Sequence, residues 1–168
     1  MKQHLILLVM LALASNLSAQ TGMVSLDDEI SFTSQTVKRV ADHLVNKNGF
    51  TLLDYDIPST NTKEKADTTV YLSYNNDNGM GNEIRYGRKM NASSVSSGFS
   101  FTTINESWYK TETDKIAGLG FVLTDAELIS ETAHEAKIYS KENITIQTFW
   151  SKYPGSDQKF YTIDVIRF

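Results

Sequence analysis

Val37-Lys38-Arg39-Val40-Ala41-Asp42-His43-Leu44-Val45-Asn46-Lys47-Asn48-Gly49-Phe50-Thr51-Leu52-Leu53-Asp54 is the stretch on which the fold turns. Val37, Val40, Ala41, Leu44 and Val45 recur at helical spacing and gather on one apolar stripe. Ser34 is the expected N-cap, its hydroxyl accepting a free backbone N–H. Asn48-Gly49 is the expected stop, because glycine takes the left-handed conformation that closes a helix. Phe50 to Tyr55 then reads as a strand. Thr69 to Tyr74 follows as a second, leading through Asn78-Gly79, a strong hairpin pair, into Glu83 to Tyr86.

The same order recurs downstream. Ser31-Phe32-Thr33-Ser34 returns as Ser100-Phe101-Thr102-Thr103, and Gly49-Phe50 returns as Gly120-Phe121. A second helix is expected between those marks, with Ile104, Trp108, Ile116 and Leu119 on its apolar face and Thr111, Glu112 and Lys115 interrupting it. Thr103 and Glu106 have the spacing of a capping box. Phe121 to Asp125 matches Phe50 to Tyr55. Thr145 to Trp150 then leads through Pro154-Gly155 into Phe160 to Phe168, and Ala136 to Tyr139 extends the incoming strand.

Recurrence of this kind signals a repeated supersecondary unit. The reading is α+β: a two-layer sandwich of two tandem helix-plus-antiparallel-strand repeats, both helices on one face of the sheet. Half-polar alternation, as at Val70 and Leu72 or Ile144 and Ile146, means one covered face and one wet face. The expected boundaries are an N-terminal arm 20–30, a first repeat 31–90, a Ser-rich connector 91–99 and a second repeat 100–168. Exported protein inhibitors and envelope adaptors built from tandem helix-plus-sheet units share this architecture, by analogy alone.

The first residues carry a different signal. Lys2 precedes an apolar run from Leu5 to Ala14 and then Ser15-Asn16-Leu17-Ser18-Ala19-Gln20. That is the layout of a secretory signal peptide, 1–19, with cleavage expected after Ala19. The run is too short to span a bilayer. A periplasmic or secreted protein is therefore expected, with no membrane span after cleavage. No cysteine occurs, which excludes disulfides, thiolate metal sites and acylation at a thiol. With 16 basic against 20 acidic residues, nucleic acid and anionic membranes are poor partners.

Residues suited to catalysis are scarce. His43 and His134 lack an orienting partner or a second histidine at metal spacing. No Gly-x-Ser-x-Gly elbow occurs. Asn75 to Glu83 fails the EF-hand pattern, with Tyr74 or Met80 where an oxygen ligand belongs. Asp27-Asp28-Glu29 suits a helix N-terminus if a helix starts early, and otherwise reads as a solvated arm. The last strand resembles an outer-membrane barrel terminus, but Asp164 breaks its lipid-facing row. No catalytic residue, metal or cofactor is expected.

Aromatic residues are the surplus. Tyr71 and Phe149 fall on the strand face opposite the apolar one. Together with Trp150 and Tyr161 they form the expected binding set, since an exposed aromatic cluster rimmed by Ser, Thr and Asn suits a partner surface. The expected function is a non-catalytic binding module that holds another envelope or extracellular protein through an open sheet face or edge. The alternatives are a small envelope hydrolase using carboxylates such as Asp54 and Asp56, and a carrier of a small apolar ligand.

Overall fold

Glycine closes two of the helices, and each closure launches a strand. Gly49 (φ 76°) and Gly120 (φ 85°) both hold the left-handed conformation that glycine adopts without strain. Each is followed by a buried phenylalanine, Phe50 and Phe121, whose N–H returns to the last turn of the helix. The computed structural model describes residues 22–56, 68–75, 81–90, 95–127, 133–152, 155 and 157–168. The expected signal peptide, the Asn78-Gly79 turn and Pro154 lie outside them.

Among the described residues three helices, α1 (Leu26–Phe32), α2 (Val37–Asn48) and α3 (Glu106–Gly118), accompany eight strands. The strands are β1 (Thr51–Asp56), β2 (Thr68–Asn75), β3 (Gly81–Met90), β4 (Val95–Thr103), β5 (Val122–Glu127), β6 (Ala133–Lys141), β7 (Ile144–Lys152) and β8 (Lys159–Arg167). They form one antiparallel sheet in the order β1-β2-β3-β4-β8-β7-β6-β5. The α+β reading holds, with the helices packed on the sheet. The order is open, with β1 and β5 at opposite edges and β8 in the middle, so β8 does not close a barrel.

Alternation decides which face is covered. In β4, Ser97, Phe99, Phe101 and Thr103 are buried while their neighbours are not. In β8, Tyr161, Ile163 and Val165 are buried. This alternation, interrupted in β8 by the buried Thr162, places the helices on one side. On that side α2 lies over β1 to β3, α1 over β4 and α3 over β8.

The helices are set by few residues. Val37, Val40 and Leu44 bury the inner stripe of α2, and each such side chain is worth about 1.5–3 kcal/mol once removed from water. Val45, expected on the stripe, is 40% exposed, because the buried face is narrower than the apolar run. The cap of α2 is Thr36, whose hydroxyl accepts from the Arg39 N–H. The expected cap, Ser34, instead bonds the Ser31 carbonyl. In α3 the cap is Asn105, accepting from the Trp108 N–H at 3.0 Å, so the expected Thr103–Glu106 box does not form. Thr103 accepts from the Asn105 N–H at 3.1 Å.

Five expectations from the sequence shift. Residues 26–30 of the expected arm belong to α1, which buries Leu26, Glu29 and Phe32. From Val95 on, the expected Ser-rich connector is β4, held between β3 and β8. Ser31-Phe32 ends a helix, whereas Ser100 to Thr103 ends a strand, so that recurrence marks no common element. Counted from Gly-Phe, the first expected hairpin is the second and third strands, but the other, β7–β8, is the third and fourth. Ala136 to Tyr139 is part of a separate strand, β6, which accounts for the extra residues there.

Two apolar clusters fill the layer between helices and sheet. The larger joins α1 and α2 to β2, β3 and β4 through Phe32, Leu44, Leu72, Tyr86, Phe99 and Phe101. The smaller joins α3 to β7 and β8 through Ile116, Phe121, Ile146, Ile163 and Val165, with Leu26 reaching in from α1. Trp108 packs against both, its ring edge-on to Phe101 at 4.6 Å. Among the described residues no helix is long and apolar enough to cross a membrane.

Polar contacts pin α1 across the junction. The Leu26 N–H donates to the buried Glu112 carboxylate of α3 at 2.9 Å, and Lys115 donates to both Glu112 oxygens. The Tyr86 hydroxyl lies 3.0 Å and 2.8 Å from the Phe32 and Gln35 carbonyl oxygens, and burial pushes its pKa up to about 12. Ser97 donates to the Thr33 carbonyl, and Arg167 donates to the Thr33 hydroxyl.

Candidate binding face

The face opposite the helices is built by strand register. Pairing aligns Tyr71, Arg85, Ser100, Asp164 and Gln147 in one row across β2, β3, β4, β8 and β7. A parallel row runs Glu83, Thr102, Thr162 and Phe149. A third runs Gly87, Gly98, Ile166 and Thr145. Residues two apart on a strand share a face, so all three rows lie on the side away from the helices. No described helix packs there.

Side-chain size shapes this face. Gly87 and Gly98 stand directly opposite each other, with Ser100 beside them, so the middle of the sheet is low. Larger side chains line it, Leu53 and Tyr71 on one side and Ile166 on the other. Two adjoining hollows result, sharing Arg85 and Ser100. One, about 320 Å³, includes Leu53, Tyr71, Glu83 and Thr102. The other, about 270 Å³, includes Gly87, Gly98, Asp164 and Ile166. A Cβ placed on Gly98 would meet no atom within 4 Å, so depth rather than crowding is what this glycine provides.

The electrostatics centre on Arg85 and Asp164. Burial pushes the Asp164 carboxyl above its usual range, opposed by a Ser100 hydrogen bond and by the Arg85 charge. Its Oδ1 is buried without a hydrogen-bond partner. The Arg85 guanidinium sits 5.8 Å from the centroid of the Tyr71 ring. The face thus offers a cation, a partly desolvated acid, hydroxyls and an exposed ring within one row.

The four expected binding residues do not form one cluster. Tyr71 and Phe149 are on the open face, but four strand spacings, about 19 Å, separate them. Trp150 and Tyr161 pair with each other on the helix side instead. Tyr161 is buried under α3, 5.0 Å from the Tyr109 ring centroid. The reason is parity: Phe149 and Trp150 are adjacent on a strand and must point to opposite faces. Arg85, Ser100 and Asp164 escaped the sequence reading, although Asp164 was visible as the charge that interrupts an apolar strand.

Asp54 is exposed on β1 just after a bulge, and the Asp56 side chain lies outside the described residues. The His43 ring meets Phe32 edge-on at 5.2 Å. The His134 side chain lies outside the described residues. Each of the two hollows has one carboxylate, Glu83 or Asp164. Among the described residues no three His, Asp or Glu side chains converge as a metal site would require. Comparison with protein-family models, curated proteins and solved structures finds no match.

Proposed function

We propose that this chain is an exported, non-catalytic binding module that holds another envelope or extracellular protein against the open face of its sheet. The observation that carries the reading is the sheet face that no described helix covers: a glycine and serine floor around Arg85 and Asp164, lined also by Leu53, Tyr71 and Ile166. A partner segment gains contact on such a saddle without displacing any element. An acid without a full set of partners also gains when an incoming donor satisfies it. A glycosidase would need two carboxylates facing one hollow, and each hollow has one.

Within the same proposal, the two halves are copies of one helix-plus-four-strand unit joined edge to edge at β4 and β8. Three features support it: the left-handed Gly49 and Gly120, the buried Phe50 and Phe121, and matching register shifts at Leu52/Asp54 and Leu123/Asp125.

The test is retention of partner proteins from envelope and culture-supernatant fractions, compared between the protein and its Gly98→Phe variant. Gly98→Phe fills the hollow without a steric clash at Cβ. A saturable partner that is lost with Gly98→Phe and weakened with Tyr71→Ala supports the reading. Equal retention by all three proteins removes it.

A further inference from the structure

A second site lies on the helix side, where α3 leaves part of the sheet bare. A groove of about 530 Å³ opens between α3 and strands β6 and β7, within the range of small-molecule sites, roughly 300–1,000 Å³. Its walls are Tyr109, Thr113 and Asp114 from α3. Its floor is Lys137 and Tyr139 from β6 with Thr148 and Trp150 from β7. Helix spacing puts Tyr109 and Thr113 one turn apart on one face. Strand register sets Lys137 opposite Thr148.

Three aromatic rings therefore converge here, and each is half-buried. Tyr109 is braced from behind by Tyr161 at 5.0 Å. Trp150 is held by the Lys159 ammonium, 4.0 Å from its ring centroid. Around the rings stand one carboxylate, one ammonium and two hydroxyls. An apolar ligand would strip water from the Asp114 carboxylate and the Lys137 ammonium without replacing its hydrogen bonds, at a cost. A strongly charged ligand would meet Asp114 and Lys137 together, which favours neither sign.

We propose that this groove binds a neutral oligosaccharide segment. Sugar rings present patches of C–H that lie flat on aromatic faces, and their hydroxyls both donate and accept around the edge. Tyr and Trp suit this because each joins an apolar body to a polar tip. Asp114 accepts from sugar hydroxyls, and Lys137 donates to sugar oxygens. Rings already braced by neighbours lose little conformational freedom on binding. The site is separate from the open sheet face, so it stands or falls independently of that reading.

The experiment titrates the protein with chitotetraose, cellotetraose and maltotetraose, read by calorimetry and by tryptophan fluorescence. Saturable binding of at least one is expected. Trp150→Ala should weaken it by roughly tenfold. Asp114→Asn, at an exposed helix position that does not threaten folding, should weaken it by roughly threefold or more. Tyr71→Ala, on the opposite face, should bind as the parent does. Absence of binding with all three sugars at ten-millimolar concentration overturns the proposal. So does binding that Trp150→Ala and Asp114→Asn leave intact, or that Tyr71→Ala abolishes.

Discussion

The two halves of the sheet have four antiparallel strands each and are covered differently. β1 to β4 lie under α1 and α2, around an apolar cluster beside which α1 also buries Glu29. Among the described residues β5 to β8 lie chiefly under α3, which covers β8, with Leu26 of α1 reaching into the same cluster. The α2 stripe is hydrocarbon: Val37, Val40 and Leu44. The buried face of α3 instead includes Glu112 beside Ile116, with Trp108 and Tyr109 at its margin. One helix fewer and a more polar stripe leave room for a groove in the second half. The difference shows how one sheet plan can hold the structure together at one end and leave side chains accessible at the other.

That comparison can be broken at several points. The largest effect is expected from the cores. Phe101→Ala, in the larger cluster, should cost about 4 kcal/mol, and Ile146→Ala, in the smaller, about 3 kcal/mol. Both should shift one shared unfolding transition in urea, because β4 pairs with β8 and Trp108 packs into both clusters. Two separate transitions would mean that the halves are independent domains and that the junction contributes little.

The polar face of α3 gives the next effect. Glu112→Leu removes the acceptor of the Leu26 N–H and strands a buried donor. A loss of about 2 kcal/mol is expected. Lys115→Ala, which removes only the half-exposed end of the pair, should cost under about 1 kcal/mol. Equal losses would place the value of Glu112 in its ion pair and not in anchoring α1.

A smaller effect than that of Glu112→Leu concerns Glu29, the charged-type side chain of α1 that faces the sheet. It is fully buried, and neither carboxylate oxygen has a partner. Burial, reinforced by Asp164, Glu112 and Asp28, raises its pKa well above 4.5. The folded protein therefore holds this proton more tightly than the unfolded chain does. Its contribution to stability is full below about pH 4.5 and is lost as pH rises toward the folded pKa. Glu29→Gln keeps the shape without the titration. It should stabilise the protein at pH 8 relative to the parent by about 1 kcal/mol, with no gain at pH 4. A thermal melt at both values checks this, and an unchanged pH slope would assign the dependence to other groups.

Much of the covered half was legible in the sequence. The 3.6 spacing of Val37, Val40 and Leu44 and the stop at Gly49 depend on neighbours along the chain, and a helix stripe shows in one dimension. The alternation of Val70 and Leu72 showed in the same way. β4 did not, because Ser96, Ser97 and Gly98 have no apolar period of their own. That segment is a strand because β3 and β8 supply hydrogen-bonding partners on both sides, and both are distant in sequence. α1 escaped for a similar reason: Asp27 and Asp28 are exposed, and nothing local shows that Leu26, Glu29 and Phe32 are buried beneath them.

The candidate sites divide along the same line. Sequence alone picked out the surplus aromatic residues and the parity that puts Tyr71 and Phe149 on one face. It determined the α+β class, two of the helix stops and the absence of disulfide or thiolate chemistry, since these depend on composition and local period. Only the tertiary structure decided that β4 pairs with β8 to make one sheet. Only it set Arg85, Ser100 and Asp164 side by side, and brought Trp150 to one groove with Tyr109 and Tyr139. Those relations rest on register between strands tens of residues apart, and register is fixed by the simultaneous burial of many side chains that no single segment encodes.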